Sequence, residues 1–262
     1  NPYSVFDGQN TVGRLFYCGW QAAYVKVNSF VTAFRRCEFT RPKSQFFERR
    51  GDGRMEFVDC RFTKSTISSS GVFLGSGNME GVFSRCEFSE VCHSNWNVNN
   101  GTCIAVANVT AALVEDTLFV SNGVACSAGW GTSGAQCSGG AGIAICAGAG
   151  YDTPVDVRRC RFIANRGGGT GTDSVVLLRA LSGRPSSVEN CLFVGNEISG
   201  RQASRPDQSV SKTTGTLVIS KNQVNITGCT FAYNLLDAWG SAAGITVSGG
   251  QANIKNTIAF GN

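Results

Sequence analysis

Short apolar bursts, separated by polar and glycine-rich stretches, run along the whole chain. One pattern recurs eight times: an apolar residue, two polar or small residues, Cys or Thr, any residue, and usually Phe, often with an Asn three positions later. In most copies a second apolar burst, such as residues 72–74 or 216–219, lies about ten residues upstream. Bursts this short predict strands rather than helices. The eight copies have their Cys or Thr at Cys37, Cys60, Cys86, Thr117, Cys160, Cys191, Cys229 and Thr257.

A repeat of two or three short strands cannot close a core alone, so successive copies must stack on one another. Neighbouring Cys or Thr positions lie 23 to 43 residues apart, so loops of different length must join strands of fixed register. A β-propeller would require four strands per blade and a nearly constant period. The sequence therefore predicts an all-β fold, a right-handed parallel β-helix (solenoid) of about eight coils with corner loop insertions. We expect one domain over residues 1–262, with residues 1–30 as an opening coil or cap, and a longer parent chain or a partner chain that continues the stack.

Stacking places equivalent residues of adjacent coils about 4.8 Å apart. The Cys or Thr positions and the Phe positions then form two inward columns, which we interpret as structural ladders. The Asn after the Phe is expected at a turn, where its amide satisfies the backbone of its own coil and the next. The Phe column comprises Phe39, Phe62, Phe88, Phe119, Phe162, Phe193 and Phe231.

An exposed column of stacked residues should alternate in charge, because like charges at this spacing repel. The position before the Cys or Thr does so, and reads Arg36, Asp59, Arg85, Asp116 and Arg159. Two further columns alternate in the same way, namely Glu38, Arg61 and Glu87, and Glu115, Arg158 and Glu189. The sequence therefore predicts ladders of ion pairs on the outside of the coils.

Composition and charge narrow the functional class. No apolar run approaches the roughly 18 to 20 residues of a membrane span, so no direct span is expected. A dispersed net charge of +5 without interleaved aromatic residues disfavours nucleic acid as a partner. Twelve Cys with one His and no CxxC pair favour an extracellular, oxidising compartment over zinc binding. Sequons at Asn100, Asn108 and Asn225 are compatible with glycosylation on a secretory route.

Four other cysteines bracket two loops of equal length, which predicts two local disulfides that each close a corner insertion. The predicted pairs are Cys92 with Cys103 and Cys126 with Cys137. Each loop contains a tryptophan, Trp96 or Trp130. Two interpretations stay open: the loops display these side chains outward, or the side chains fold back over the side of the helix. Cys18 and Cys146 have no assigned partner.

Two short motifs carry a resemblance to a known family. Four copies end in Phe-x-x-Asn, at Asn122, Asn165, Asn196 and Asn234, and residues 139–143 and 241–245 read GGAGI and SAAGI. These motifs resemble the paired FxxN and GGA(I/L/V) repeats of polymorphic outer-membrane proteins. The resemblance covers roughly residues 30–262 and implies a right-handed β-helix on a cell surface or in an extracellular assembly, with adhesive or structural roles.

Pectin-degrading lyases and hydrolases also use the β-helix, so catalysis is a competing hypothesis. Glycoside cleavage needs two carboxylates converging on one face. In the charge columns an Arg lies between successive carboxylates, and this arrangement suits a salt ladder better than a general acid. We therefore expect no catalytic residue, no metal site and no cofactor.

The function expected from the sequence is that of a non-catalytic extracellular or cell-surface protein with a structural, assembly or adhesive role. Its partners would be other chains of the same surface or assembly, with glycans as a second class. The alternative is a polysaccharide-binding or pectin-degrading β-helix, in which Trp96, Trp130 and Trp239 stack on sugars.

Overall fold

The structure, a computed structural model, describes residues 3–7, 14–18, 31–42, 45–67, 70–75, 77–93, 103–124, 141–147, 153–168, 173–179, 184–199, 215–237 and 243–262. In these ranges every regular element is a β-strand, and all strand pairs are parallel. The strands form three sheets of 13, 8 and 8 strands, which we call sheets A, B and C. The all-β prediction is therefore confirmed.

Sheet A contains the strands that follow each Cys or Thr. Its members are β1 (Ser4–Asp7), β4 (Cys37–Thr40), β7 (Arg61–Ile67), β10 (Glu87–His93), β13 (Leu118–Val120), β14 (Gly123–Val124), β17 (Arg161–Ile163), β18 (Arg166–Gly168), β21 (Leu192–Val194), β22 (Glu197–Ser199), β25 (Thr230–Ala232), β26 (Leu235–Asp237) and β29 (Ile258–Phe260). The long strand β10 pairs with both β13 and β14. From there on, a corner divides each later copy in two.

Sheets B and C contain the two strands that lie between one Cys position and the next. Sheet B comprises β2 (Arg14–Cys18), β5 (Gln45–Arg50), β8 (Val72–Gly75), β11 (Ile104–Ala107), β15 (Ala141–Ala147), β19 (Asp173–Arg179), β23 (Gly215–Ser220) and β27 (Ile245–Ser248). Sheet C comprises β3 (Val31–Arg35), β6 (Gly53–Val58), β9 (Met79–Ser84), β12 (Ala111–Glu115), β16 (Val155–Arg158), β20 (Ser186–Glu189), β24 (Gln223–Thr227) and β28 (Gln251–Lys255). The chain visits A, B and C in turn, which is consistent with a parallel β-helix.

A left-handed residue turns the chain from sheet C into sheet A. It is the residue before each Cys or Thr, and its φ lies between 47° and 66° in all eight copies. Non-glycine residues seldom adopt this conformation, and Asn and Asp do so more readily than most. The charge-alternating column is therefore also the corner of the fold. The corner residues are Arg36, Asp59, Arg85, Asp116, Arg159, Asn190, Gly228 and Asn256.

The Cys column lies inside this corner and belongs to the main core. Its thiols donate to backbone carbonyls of their own and the preceding copy, as Cys160 Sγ does to Arg158 O at 3.3 Å and Val114 O at 3.4 Å. Thr117 replaces Cys in one copy, and its hydroxyl donates to Glu115 O at 2.8 Å. The column thus supplies one small polar donor per copy to a tightly turned backbone.

The Phe column is stacked ring on ring through the core. Phe39 to Phe231 are in register, with centroids 4.4 to 5.1 Å apart. The stack continues to Phe6, which lies 5.3 Å from Phe39 and which the sequence pattern missed, because Ser4 stands where later copies have Cys. In the last copy Ala259, not Phe260, pairs with Phe231, so Phe260 faces outward.

The recurrent Asn residues form a second, polar ladder inside the core. From Asn122 to Asn234, each side chain donates from Nδ2 to the Phe carbonyl of the preceding copy and to Oδ1 of the next Asn; for Asn165 these distances are 3.0 Å to Phe119 O and 2.9 Å to Asn196. The backbone N–H of Asn122 also donates to Asn165 Oδ1. The amides therefore link neighbouring copies rather than their own. The ladder runs through Asn122, Asn165, Asn196, Asn234 and Asn262.

Candidate functional site

The corner column forms discrete ion pairs rather than a continuous ladder. The Arg85 guanidinium donates to both carboxylate oxygens of Asp59, at 2.7 and 3.0 Å. Arg159 contacts Asp116 in the same way, at 2.7 and 2.8 Å. Hydrogen bonds from these guanidinium groups lower the pKa of both carboxyls below the usual value.

The outer face of sheet C carries the densest group of acidic side chains, and each is ion-paired. Arg54 binds Glu56 at 2.7 Å and Glu80 at 2.9 Å. Further along the sheet, Arg184 and the Ser187 hydroxyl both contact Asp156. The remaining two are Glu115, held by Arg159 at 3.1 Å, and Glu189, held by Arg158 at 3.7 Å.

This pairing determines what the face can do chemically. A general acid needs a raised pKa, and a calcium site needs carboxylate oxygens that are free to coordinate. On sheet C and its corner, every described carboxylate has an Arg within 4 Å, and the pKa of Asp59 and Asp116 is lowered. The arrangement therefore favours cross-strand stabilisation over proton transfer.

In the column directly after the Cys, only some of the charged residues form ion pairs. Arg61 contacts Glu87 at 3.3 Å and also lies 4.7 Å from the centre of the Tyr3 ring. Glu38 is beside Arg61 in register, yet the described residues include no ion pair for it. The predicted alternation of charge ends at Leu118, where the outward side chains become mostly apolar.

The predicted sugar-binding side chains, Trp96, Trp130 and Trp239, lie outside the described residues, as do Cys126, Cys137 and Asn100. Two of the three sequons are described. Asn108 is exposed in a left-handed turn, and Asn225 is exposed on the outer face of sheet C. Both amides are therefore accessible from solvent.

The predicted Cys92–Cys103 disulfide is wrong. Cys103 is a free thiol, fully buried in the main core, and burial raises its pKa. Cys92 is disulfide-bonded, but it is not part of that core. The equal loop spacing in the sequence takes no account of which cysteine packs inward.

Sequence reasoning missed a change along the outer face of sheet A. In the strands that follow each Cys or Thr, the residues on either side of the stacked Phe position point outward. In β4, β7 and β10 they are charged or carry hydroxyls, such as Arg61 and Ser89. In the next five strands they are mostly apolar. We call this set the apolar face: Leu118, Val120, Arg161, Ile163, Leu192, Val194, Thr230, Ala232, Ile258 and Phe260.

Sheet B has an apolar outer face as well, but this one is covered. Cys146, Leu177 and Val218 stack in register on it and form a small cluster separate from the main core. All three are at most 3% exposed. In the part of the chain that the structure describes, the apolar outer face of sheet A is therefore the more exposed of the two.

Comparisons with known protein families, curated protein sequences and solved structures gave no match. Within the described ranges, no helix has the length and apolar content needed to cross a membrane. The same ranges contain no group of three or more His, Cys, Asp or Glu side chains placed to hold a metal ion.

Proposed function

We propose that this chain is a non-catalytic structural or adhesive module of an extracellular or cell-surface assembly. In this proposal the three sheets wind into one right-handed parallel β-helix of about eight coils, in line with the resemblance to the polymorphic outer-membrane repeats. The single observation that carries the proposal is that every described carboxylate on sheet C and its corner is bound by Arg. A rigid, charge-paired scaffold is suited to display and assembly rather than to bond cleavage.

The stack of parallel strands supports a mechanical role. Each copy contributes a Cys or Thr, all but the last contribute a Phe, and the later ones contribute an Asn to columns that continue from one copy to the next. Because each copy contacts mainly its neighbours, length can be added without changing the local structure. Such a rod holds its loops at fixed spacing, which is a useful property in a surface protein.

A secretory route is supported by two independent features. Cys92 is disulfide-bonded, and Asn108 and Asn225 are exposed sequon residues. Disulfides persist in oxidising compartments, and N-glycans require passage through the secretory pathway. Peptide mass spectrometry of protein secreted from a eukaryotic host should detect a glycan on at least one of the two asparagines.

The competing enzyme hypothesis can be tested directly. The purified chain would be incubated with polygalacturonate, with and without calcium, and both reducing ends and unsaturated products would be followed over time. We expect no turnover above a heat-denatured control. Sustained product release that disappears in Asp156→Asn or Glu115→Gln variants with an intact fold would overturn the proposal.

Surface location requires a separate test. An antibody against the native chain should label intact, unpermeabilised cells of the source organism, and detergent should not be needed. Labelling only after permeabilisation would exclude a cell-surface role.

A further inference from the structure

The apolar face is a continuous surface of substantial size. It covers five adjacent strands, β13, β17, β21, β25 and β29, and so extends about 19 Å along the stack at the usual strand spacing. Nine of its ten side chains are at least partly exposed, and the tenth, Ala232, is only 3% exposed. Apolar surface collected on one sheet face marks an interaction site more often than scattered apolar residues do.

An exposed aromatic pair extends this surface at one end. The ring of Tyr233 meets Phe260 edge-on, with centroids 5.2 Å apart. Tyr233 is itself 64% exposed. Aromatic side chains are enriched in protein interfaces, because they bury much area at a small cost in side-chain entropy.

One charge lies within the apolar face. Arg161 has Leu118 and Leu192 as its two neighbours in register. In the described residues it has no ion pair, whereas Arg61, in the same column, binds Glu87. Any protein that covers this face must therefore leave room for a guanidinium group and must not place a second cation against it.

A two-fold arrangement of identical chains meets both conditions. A two-fold axis lying parallel to the strands over β21 would set Leu192 and Val194 against their own copies. The same axis would place β17 against β25 of the second copy, so the large pair Arg161 and Ile163 would meet the small pair Thr230 and Ala232. The outermost strand β13 would meet β29, which is apolar against apolar.

The charge of Arg161 selects this axis over the other face-to-face arrangement. A two-fold axis along the stack would set β17 against β17 and bring two guanidinium groups onto facing strands, where like charges disfavour association. With the axis over β21, the two Arg161 side chains are separated by a further two strand spacings, or about 10 Å along the sheet. Each then faces the Thr230 hydroxyl, which can accept a hydrogen bond.

We propose that the apolar face of sheet A is a self-association surface, at which a second copy of this chain docks face to face about a two-fold axis over β21. The inference deepens the assembly role proposed above and rests on it. The interface would use ten outward side chains from each chain, fewer than the roughly 20 to 30 residues per side of a standard stable interface. The dimer is accordingly weak and reversible.

Sedimentation velocity of the whole chain tests this surface. The sedimentation coefficient should rise as the protein concentration is raised, because an interface below the standard size associates weakly and reversibly. Val194→Arg sets two cations against each other at the axis and should keep the chain monomeric. The matched control is Ser89→Arg, at the same outward position on the polar half of sheet A, which should associate like the parent.

Each outcome of these experiments either supports the self-association surface or overturns it. Circular dichroism and the melting temperature establish that both Arg variants are folded. In a second experiment, a Leu192→Cys chain should form a covalent dimer with a short bismaleimide, whereas a Ser89→Cys chain should not. A parent chain that stays monomeric at the highest concentration, or a dimer that survives Val194→Arg, overturns the proposal. Loss of self-association would leave the polygalacturonate result untouched, so the two proposals fail separately.

Discussion

The guanidinium of Arg85 donates two hydrogen bonds, of 2.7 and 3.0 Å, to the carboxylate of Asp59, although the two residues are 26 positions apart in the chain. Both are corner residues with a left-handed backbone. The pair therefore bridges two successive copies at the point where each turns from sheet C into sheet A. Arg159 and Asp116 repeat the arrangement two copies later.

These pairs make the fold sensitive to acid. The pKa of Asp59 and Asp116 in the folded state is lowered, chiefly by hydrogen bonds from Arg85 and Arg159. A carboxyl with a lowered folded-state pKa stabilises the fold above its unfolded-state pKa of about 3.9, and this contribution is lost as the pH falls through the folded-state value. Urea unfolding should therefore show stability falling below about pH 4, and less steeply in an Asp59→Asn, Asp116→Asn double variant.

Glu90→Gln provides the matched control for this titration. Glu90 is an exposed residue with a left-handed backbone inside β10, and the described part of the chain contains no ion pair for it. Its neutralisation should leave the acid slope as in the parent. If the double variant and Glu90→Gln gave the same slope, the two Arg–Asp pairs would not be responsible for the acid response.

The Asn ladder should contribute more to stability than any exposed pair. Asn165 accepts hydrogen bonds from the backbone and side chain of Asn122, and it donates to Phe119 O and to Asn196. Asn165→Ala leaves these buried groups without a partner, and we expect a loss of about 2–4 kcal/mol in the free energy of unfolding. Asn253→Ala removes an amide of the same size from an exposed position and should cost less than about 0.5 kcal/mol. Chemical denaturation measures both; equal losses would contradict a structural ladder.

The sequence allowed the columns to be predicted because their chemistry repeats at a recognisable motif. Few other residue types have the size and polarity that the Phe, Cys and Asn positions require, so the same residue recurs in successive copies. Phe6 was missed because Ser4 replaces the Cys of the motif. The apolar face was missed because the column after the Cys was examined for alternating charge and not for apolar side chains. The Cys92–Cys103 pairing failed for a different reason: loop spacing contains no information on which cysteine faces the core.

The buried thiols should be unreactive in the native protein. Hydrogen bonds between neighbouring thiols and burial raise the pKa of Cys86 and Cys229, and burial alone raises that of Cys103. Thiolate is the reactive form, so both access and ionisation oppose modification. Ellman's reagent should label none of these three in buffer and all of them in guanidinium chloride, with sites located by peptide mass spectrometry. Rapid labelling of Cys103 in the folded chain would show that it is not in the core.

At Gly123, directly after Asn122, the backbone of the next copy leaves no room for a side chain. A Cβ atom built there would lie 2.0 Å from Arg166 O and 2.9 Å from Arg166 C, so the backbone of the next copy would have to move. The displacement would disturb the pairing of β14 with β18 and the Asn ladder beside it. We expect Gly123→Ala to destabilise the fold by more than about 2 kcal/mol, at the upper end of overpacking costs, because rigid backbone rather than a side chain blocks the atom.

Gly244→Ala is the matched control: a Cβ there has no neighbour within 4 Å, and the unfolding midpoint of this variant should equal that of the parent. Equal midpoints for the two variants would mean that adjacent copies do not pack at this distance in solution.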